Sequence, residues 1–172
     1  YDVAERSFKQ VLLVDPQLAY VRNFLGLAIA YQGRHENALE QFRRITGLPG
    51  SDAAWHGNEG HVCLELERFS EAKDAFQQAI DRATDNPVSY YCGLADALVG
   101  LEQYRDAVAV IEKGIHADGS VDFQDLDYFT KLLYINIRER RAEEVRHTLI
   151  RMKEIAADEE QARLLAYKAG SL

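Results

Sequence analysis

His35-Glu36-Asn37-Ala38-Leu39-Glu40-Gln41-Phe42-Arg43-Arg44-Ile45 returns 34 residues later as Phe69-Ser70-Glu71-Ala72-Lys73-Asp74-Ala75-Phe76-Gln77-Gln78-Ala79. A ring opens each stretch, alanine follows three residues on, and phenylalanine follows four after that. The frame extends outward in both directions. Tyr1, Ala4 and Phe8 stand one interval upstream, and Tyr104, Ala107 and Ile111 stand 35 residues downstream of Phe69, Ala72 and Phe76. Gly26, Gly60 and Ala95 repeat at the same interval. Chance does not hold this register over four occurrences, so an internal repeat decides the fold.

The periodicity within each unit is helical. Ala38, Phe42 and Ile45 follow i, i+4, i+7, and Leu25, Gly26 and Ile29 follow i, i+1, i+4. Strand-like alternation is absent. Two helices fit each period, with breaks near Gly33, Arg68 and Gly100–Glu102. Gly33 suits the left-handed residue after a helix end. Asp15 before Pro16 and Asn86 before Pro87 read as helix caps, and Pro49-Gly50-Ser51-Asp52 reads as a turn followed by a cap. Pro16, Pro49 and Pro87 are the only prolines, and all fall at joints. Small residues let helices approach closely, while Phe42, Phe76, Tyr91 and Tyr104 fill the space between neighbours.

These residues resemble the tetratricopeptide repeat family, whose signature sets an aromatic, Leu-Gly and Tyr on a first helix, and Ala, Phe and Pro on and after a second. Leu25-Gly26, Ala38 and Phe42 match it in one unit. Gly60, Phe69, Ala72, Phe76 and Ala79 match it in the next, and Tyr91, Leu94-Ala95, Tyr104 and Ala107 in the third. The resemblance implies an all-α, right-handed superhelical solenoid of antiparallel helix pairs. Residues 1–16 read as the second helix of a truncated repeat; 17–50, 51–86 and 87–116 read as repeats. Residues 117–157 read as a degenerate repeat in which Phe129, Leu132, Val145 and Leu149 keep the pattern at a spacing of 38. A longer loop at 116–125 precedes its first helix, and 158–172 reads as a C-terminal capping helix. Tyr1, Ala4, Phe8 and Val11 have no preceding helix to pack upon. A fragment of a longer solenoid, or a face covered by a partner, is the expectation.

In arrays of this kind the first helices line a concave groove that holds peptides or helices of other proteins. Helical spacing puts Tyr20, Asn23, Leu27 and Tyr31 on that wall, then Asn58, His61 and Glu65, then Ser89, Cys92 and Asp96, and finally Lys131 and Tyr134. Rings supply apolar area and amides bond a peptide backbone. Chaperone-binding members of the family clamp a terminal carboxylate with lysines, arginine and asparagines. Only Asn58 matches, the other positions holding Asn23, Leu27, Ser89 and Gly93, so no such clamp is expected. The asparagine ladder of members related to sugar-transferring nuclear enzymes would read Phe24, Asn58, Gly93 and Lys131, and is absent.

The first helix of the middle unit departs from the pattern, with Gly57 and Gly60 inside it. His56, Glu59 and Cys63 share one face at i, i+3, i+7, a spacing that could hold zinc. No fourth ligand is evident, so a buried hydrogen-bonded pair with Cys63 as packing is the expectation, and no metal or other cofactor is expected. A Cys92–His61 pair lacks an oxyanion site, and no hydrolase, nucleotide-binding or zinc-protease motif occurs, so the chain reads as a non-enzyme.

The chain carries 28 acidic and 20 basic residues, a formal charge of −8. That balance disfavours nucleic acid and acidic membrane surfaces, and no apolar run is long enough to span a bilayer. Two cysteines make no disulfide framework. The function expected is therefore a protein-interaction scaffold binding a peptide or helix of a partner in its concave groove. The alternatives are a structural module that forms homo-oligomers through exposed terminal helices, or a targeting or regulatory arm of a larger enzyme. The cytoplasm is slightly favoured, though nothing in the sequence fixes the compartment.

Overall fold

The computed structural model describes residues 1–84, 88–116 and 126–155. Among them stand nine helices and no strand: α1 (Asp2–Val14), α2 (Ala19–Ala30), α3 (His35–Thr46), α4 (Ala53–Glu65), α5 (Phe69–Arg82), α6 (Val88–Gly100), α7 (Tyr104–His116), α8 (Leu126–Arg138) and α9 (Ala142–Ile155). Each helix packs on the next, and α4 also touches α2 and α6. The result is an all-α solenoid of stacked helix pairs. None of the described helices is long and apolar enough to cross a membrane.

The repeating residues build the core. Ala38, Ala72 and Ala107 are fully buried, as are Phe42, Phe76 and Ile111. A pair of helices cannot cover its own apolar stripe, so each buries it against the neighbouring pair. The small residues of the pattern are sized for rings. A Cβ added at Gly26 would lie 2.7 Å from Phe42, and one at Gly60 would lie 2.9 Å from Phe76. At Gly57 it would lie 2.5 Å from Tyr90 of the following pair. The two glycines of α4 are thus seats for aromatic rings, which explains their presence in a helix interior.

Four turns share one geometry. After α2, α4, α6 and α8, the residues Gly33, Glu67, Glu102 and Arg140 take φ of 74°, 55°, 58° and 56°. Each N–H reaches back three residues, and the next N–H reaches back five: Gly33 to Ala30 and Arg34 to Ile29, then Glu67 to Leu64 and Arg68 to Cys63. Glu102 and Gln103 bond Val99 and Leu98, and Arg140 and Arg141 bond Ile137 and Asn136. This is the Schellman arrangement, which satisfies carbonyls that a helix end leaves open. Only the first of the four turns has glycine at its left-handed position.

Several expectations change. Asp52 does cap α4, accepting a hydrogen bond from the Ala54 N–H at 2.8 Å. Asp15 does not cap a helix at Pro16. Its Oδ1 accepts from the Gln17 N–H at 3.0 Å, which holds a turn, and α2 begins only at Ala19. Leu149 does not enter the core. It is 42% exposed, whereas Thr148 and Met152, one turn apart, are buried. Tyr1 and Phe8 do find partners, on the helix that follows: Tyr1 stacks on Tyr31 with centroids 4.9 Å apart, and Phe8 stacks on Phe24 at 5.9 Å. Between them Glu5 is buried, with Gln32, Arg34 and Lys9 on its carboxylate. The Asn86–Pro87 cap, the loop through 117–125 and the capping helix at 158–172 lie outside the described residues.

Candidate binding surface

Helices α2, α4, α6 and α8 carry the residues expected on the groove wall, and two concavities lie along them. The first, about 520 Å³, is lined by Leu27 and Ala30 of α2, by Tyr31 and Gly33 of the turn after it, by His35 and Phe42 of α3, and by Asn58, His61, Val62 and Glu65 of α4. The second, about 260 Å³, lies between α6 and α8 and is lined by Ala95, Asp96, Val99, Thr130, Lys131, Tyr134 and Ile135. Leu27, Tyr31, Asn58, His61 and Glu65 therefore meet in one place, and Asp96, Lys131 and Tyr134 in another.

The remaining wall residues sit elsewhere. Tyr20 is exposed and meets Trp55 edge-on, with centroids 5.3 Å apart. Ser89 is exposed and Cys92 half-buried, and neither lines either concavity. Asn23 is buried rather than presented to solvent. Its Oδ1 accepts a hydrogen bond from Asn58 Nδ2 at 2.9 Å, which ties α2 to α4 and fixes the Asn58 amide. Asn58 Oδ1 takes no hydrogen bond among the described residues, so an acceptor remains on the wall. The sequence reading missed His35, Phe42 and Val62, because their positions belong to the core pattern.

The two concavities differ in charge. In the second, Lys131 forms an ion pair with Asp96. In the first, Glu65 is the only carboxylate or permanent cation of the lining, is exposed, and has no ion pair or hydrogen bond among the described residues. His61 lies beside it, its ring edge-on to Phe76 with centroids 5.0 Å apart. Although its ring is accessible, the surrounding protein strips away enough water to lower its pKa. Asp96 and Glu65 oppose that shift and Lys131 reinforces it.

The His56–Glu59–Cys63 face is not a ligand set. His56 is buried and shares a hydrogen bond with Ser51 Oγ through Nε2 at 2.8 Å, and burial lowers its pKa. Glu59 instead faces Arg43 at 3.7 Å. The expected partner of His56 is thus replaced by Ser51, which the turn before α4 delivers. Cys63 is fully buried and its thiol is pushed up to about 12, chiefly by desolvation, so it stays protonated and acts as packing. No group of three His, Cys, Asp or Glu side chains able to hold a metal occurs among the described residues.

Residues 1–54 match a family model described as tetratricopeptide repeat, and residues 56–86 match a second model of the same description. The chain belongs to the tetratricopeptide repeat family. In sequence, this tetratricopeptide array is similar to the human cell division cycle protein 16 homolog. The two are 29% identical over 109 residues, covering 57% of this chain and 17% of that protein. The chain therefore spans less than a fifth of that relative. In structure it is similar to MamA 41-end from Desulfovibrio magneticus RS-1, with a TM-score of 0.79, 18% identity, and 90% and 84% of the two chains covered. It is also similar to YrrB, described as a tetratricopeptide repeat protein with an unusual peptide-binding site, with a TM-score of 0.72, 20% identity, and 95% and 80% covered. At these identities the structural likeness is one of fold.

Proposed function

We propose that this tetratricopeptide array is a protein-interaction scaffold that holds an extended segment or helix of a partner along the wall formed by α2, α4, α6 and α8. The observation that carries the reading is the concavity between α2 and α4. It joins apolar walls from Leu27 and Val62 to an exposed Tyr31 ring and to an Asn58 amide already oriented by Asn23. A preoriented amide costs little entropy to engage, and an aromatic wall supplies area, the combination on which peptide recognition rests. The peptide-binding site in YrrB's description supports the same reading by analogy of fold. We assign the other wall residues to the same binding surface, with the buried Asn23 acting behind it by holding Asn58.

Affinity capture tests it. Wild type is compared with Asn58→Arg/His61→Glu, both verified as helical by circular dichroism, and any retained protein is reduced to a peptide and titrated. A peptide bound by wild type and lost by the variant is the expected result. Equal binding by both would move the site off this wall.

A second reading, self-assembly through the ends, is favoured by one feature. Leu13 and Val14 on α1 are 83% and 88% exposed. Leu13→Glu/Val14→Glu would then lower the mass seen by light scattering, and a wild type monomeric at all concentrations would remove this reading.

A further inference from the structure

The charge of the first concavity specifies what it accepts. Glu65 is its one full charge, and it is neutralised neither by an ion pair nor by a hydrogen bond among the described residues. Several acids are paired across neighbouring helices: Lys131 on Asp96, Arg68 on Glu36, Arg43 on Glu71, and Arg34 on Glu5. Glu65, alone among the charged groups lining this concavity, has no such partner among the described residues. The backbone around it adds to the same field. Glu65 ends α4 and Tyr31 follows the end of α2, and neither helix has a basic residue in its last turn. Helix C-termini carry partial negative charge and favour a cation there. Burial lowers the His61 pKa and so disfavours a positive charge beside the carboxylate. Beside the carboxylate stand the 65%-exposed Tyr31 ring and the apolar side chains of Leu27 and Val62.

We infer that this concavity takes an arginine or lysine side chain of the partner segment, its methylene stem against Leu27, Tyr31 and Val62 and its cationic head at Glu65. A long basic side chain suits such a place because its stem is apolar and its head seeks charge and an aromatic face. A terminal or side-chain carboxylate would meet the same field with the wrong sign. The inference rests on the groove reading above and adds the chemistry of the residue that anchors the partner.

The test is selection of random 12-residue peptides on the 172-residue chain, followed by fluorescence anisotropy of a selected peptide. Its arginine is then replaced by citrulline, or its lysine by acetyl-lysine. Wild type, Glu65→Gln, Glu65→Lys and Asn58→Arg are compared after circular dichroism confirms that each is folded. The expected result is enrichment of Arg or Lys at one position of the selected peptides. Neutralising either the peptide cation or Glu65 then costs roughly tenfold in affinity, as for a lost hydrogen bond between charged groups, and neutralising both costs no more than either alone. Peptides without a cation, or bound equally by Glu65→Gln, would overturn the inference, and the groove reading would survive if Asn58→Arg still abolished binding. Binding that withstands both Asn58→Arg and Glu65→Gln, or a library yielding no binder, would remove both readings.

Discussion

Gly93→Ala sets two well-characterised effects against each other. Gly93 lies inside α6, where alanine is favoured over glycine by about 1 kcal/mol on helix propensity alone. A Cβ there, however, would fall well inside contact distance of the Phe76 ring, with three ring carbons crowding it. Phe76 is fully buried and cannot swing into solvent. Nor can it retreat freely towards α4, because the ring already lies 2.9 Å from where a Cβ of Gly60 would stand. Gly60 and Gly93 are two seats for one ring. Overpacking of a closed site costs about 1–3 kcal/mol, and this site lies at the upper end because both exits are shut. The net expectation is a loss of about 2 kcal/mol, or roughly 4–8 °C in Tm for a chain of this length.

Gly26→Ala is the internal control. Its Cβ would press on Phe42 at 2.7 Å, but Phe42, though as buried as Phe76, has the 520 Å³ concavity rather than a second glycine on another side. The clash is therefore relieved, propensity offsets most of what remains, and the variant should stay within about 1 kcal/mol of wild type. Urea titration followed by circular dichroism separates the two, provided the m-value is unchanged. Combining Gly93→Ala with Phe76→Leu adds a direct check, since the alanine should cost less once the ring is gone. Gly93→Ala as stable as wild type would refute the two-seat argument. Equal losses at Gly26 and Gly93 would refute the role given to the concavity.

Three further outcomes follow from particular contacts. Glu67 adopts φ 55°, which costs an L-residue about 1 kcal/mol, so Glu67→Gly should leave stability level or slightly raised, whereas Gly33→Ala at φ 74° should lose about 1 kcal/mol; thermal melts of the two read the contrast, and an undiminished Gly33→Ala would contradict it. Asp52→Ala removes the cap on the Ala54 N–H and should lower stability by about 1 kcal/mol in the same assay. Hydrogen bonds from Lys9, Gln32 and Arg34 lower the Glu5 pKa from 4.5 to about 2, so the folded state favours its charged form; Glu5→Gln should destabilise most above pH 4.5, with the difference shrinking as pH falls towards 2, and a difference constant across that window would show that the carboxylate charge is not involved.

The helix pairs were legible because packing writes itself into sequence at a fixed interval. Ala38, Ala72 and Ala107 are alanine for the same reason that they are fully buried. The turns were half legible. Gly33 announces a left-handed residue, but Glu67, Glu102 and Arg140 reach the same conformation with side chains that carry no such signal. There the paired backbone hydrogen bonds impose the turn, and the residue absorbs the strain. Leu149 was misread because a 38-residue interval carries the pattern only approximately. The helix rotates so that Thr148, bonded to the Glu144 carbonyl at 2.7 Å, takes the inward place.

The concavities were less legible than the wall that bears them, and the reason is a substitution between equivalent positions. Asn58 and Gly93 stand 35 residues apart, one repeat interval, on α4 and α6. At Gly93 the missing Cβ lets Phe76 press directly against the helix, where a side chain would otherwise stand. At Asn58 the side chain instead leans to Asn23 and leaves a gap beside Phe42, and the space stays open. The core pattern reads Phe42 and Phe76 as the same residue, yet one borders a cavity and the other is sealed between two glycines. Glycine or asparagine on a first helix, together with the core ring that it faces, thus sets whether a pocket opens there. Gly93→Asn with Phe76→Leu should open a matching concavity between α4 and α6, detectable as new binding of a small apolar probe to the double variant but not to wild type. If the double variant is folded and binds no more probe than wild type, the pocket is set by something other than this exchange.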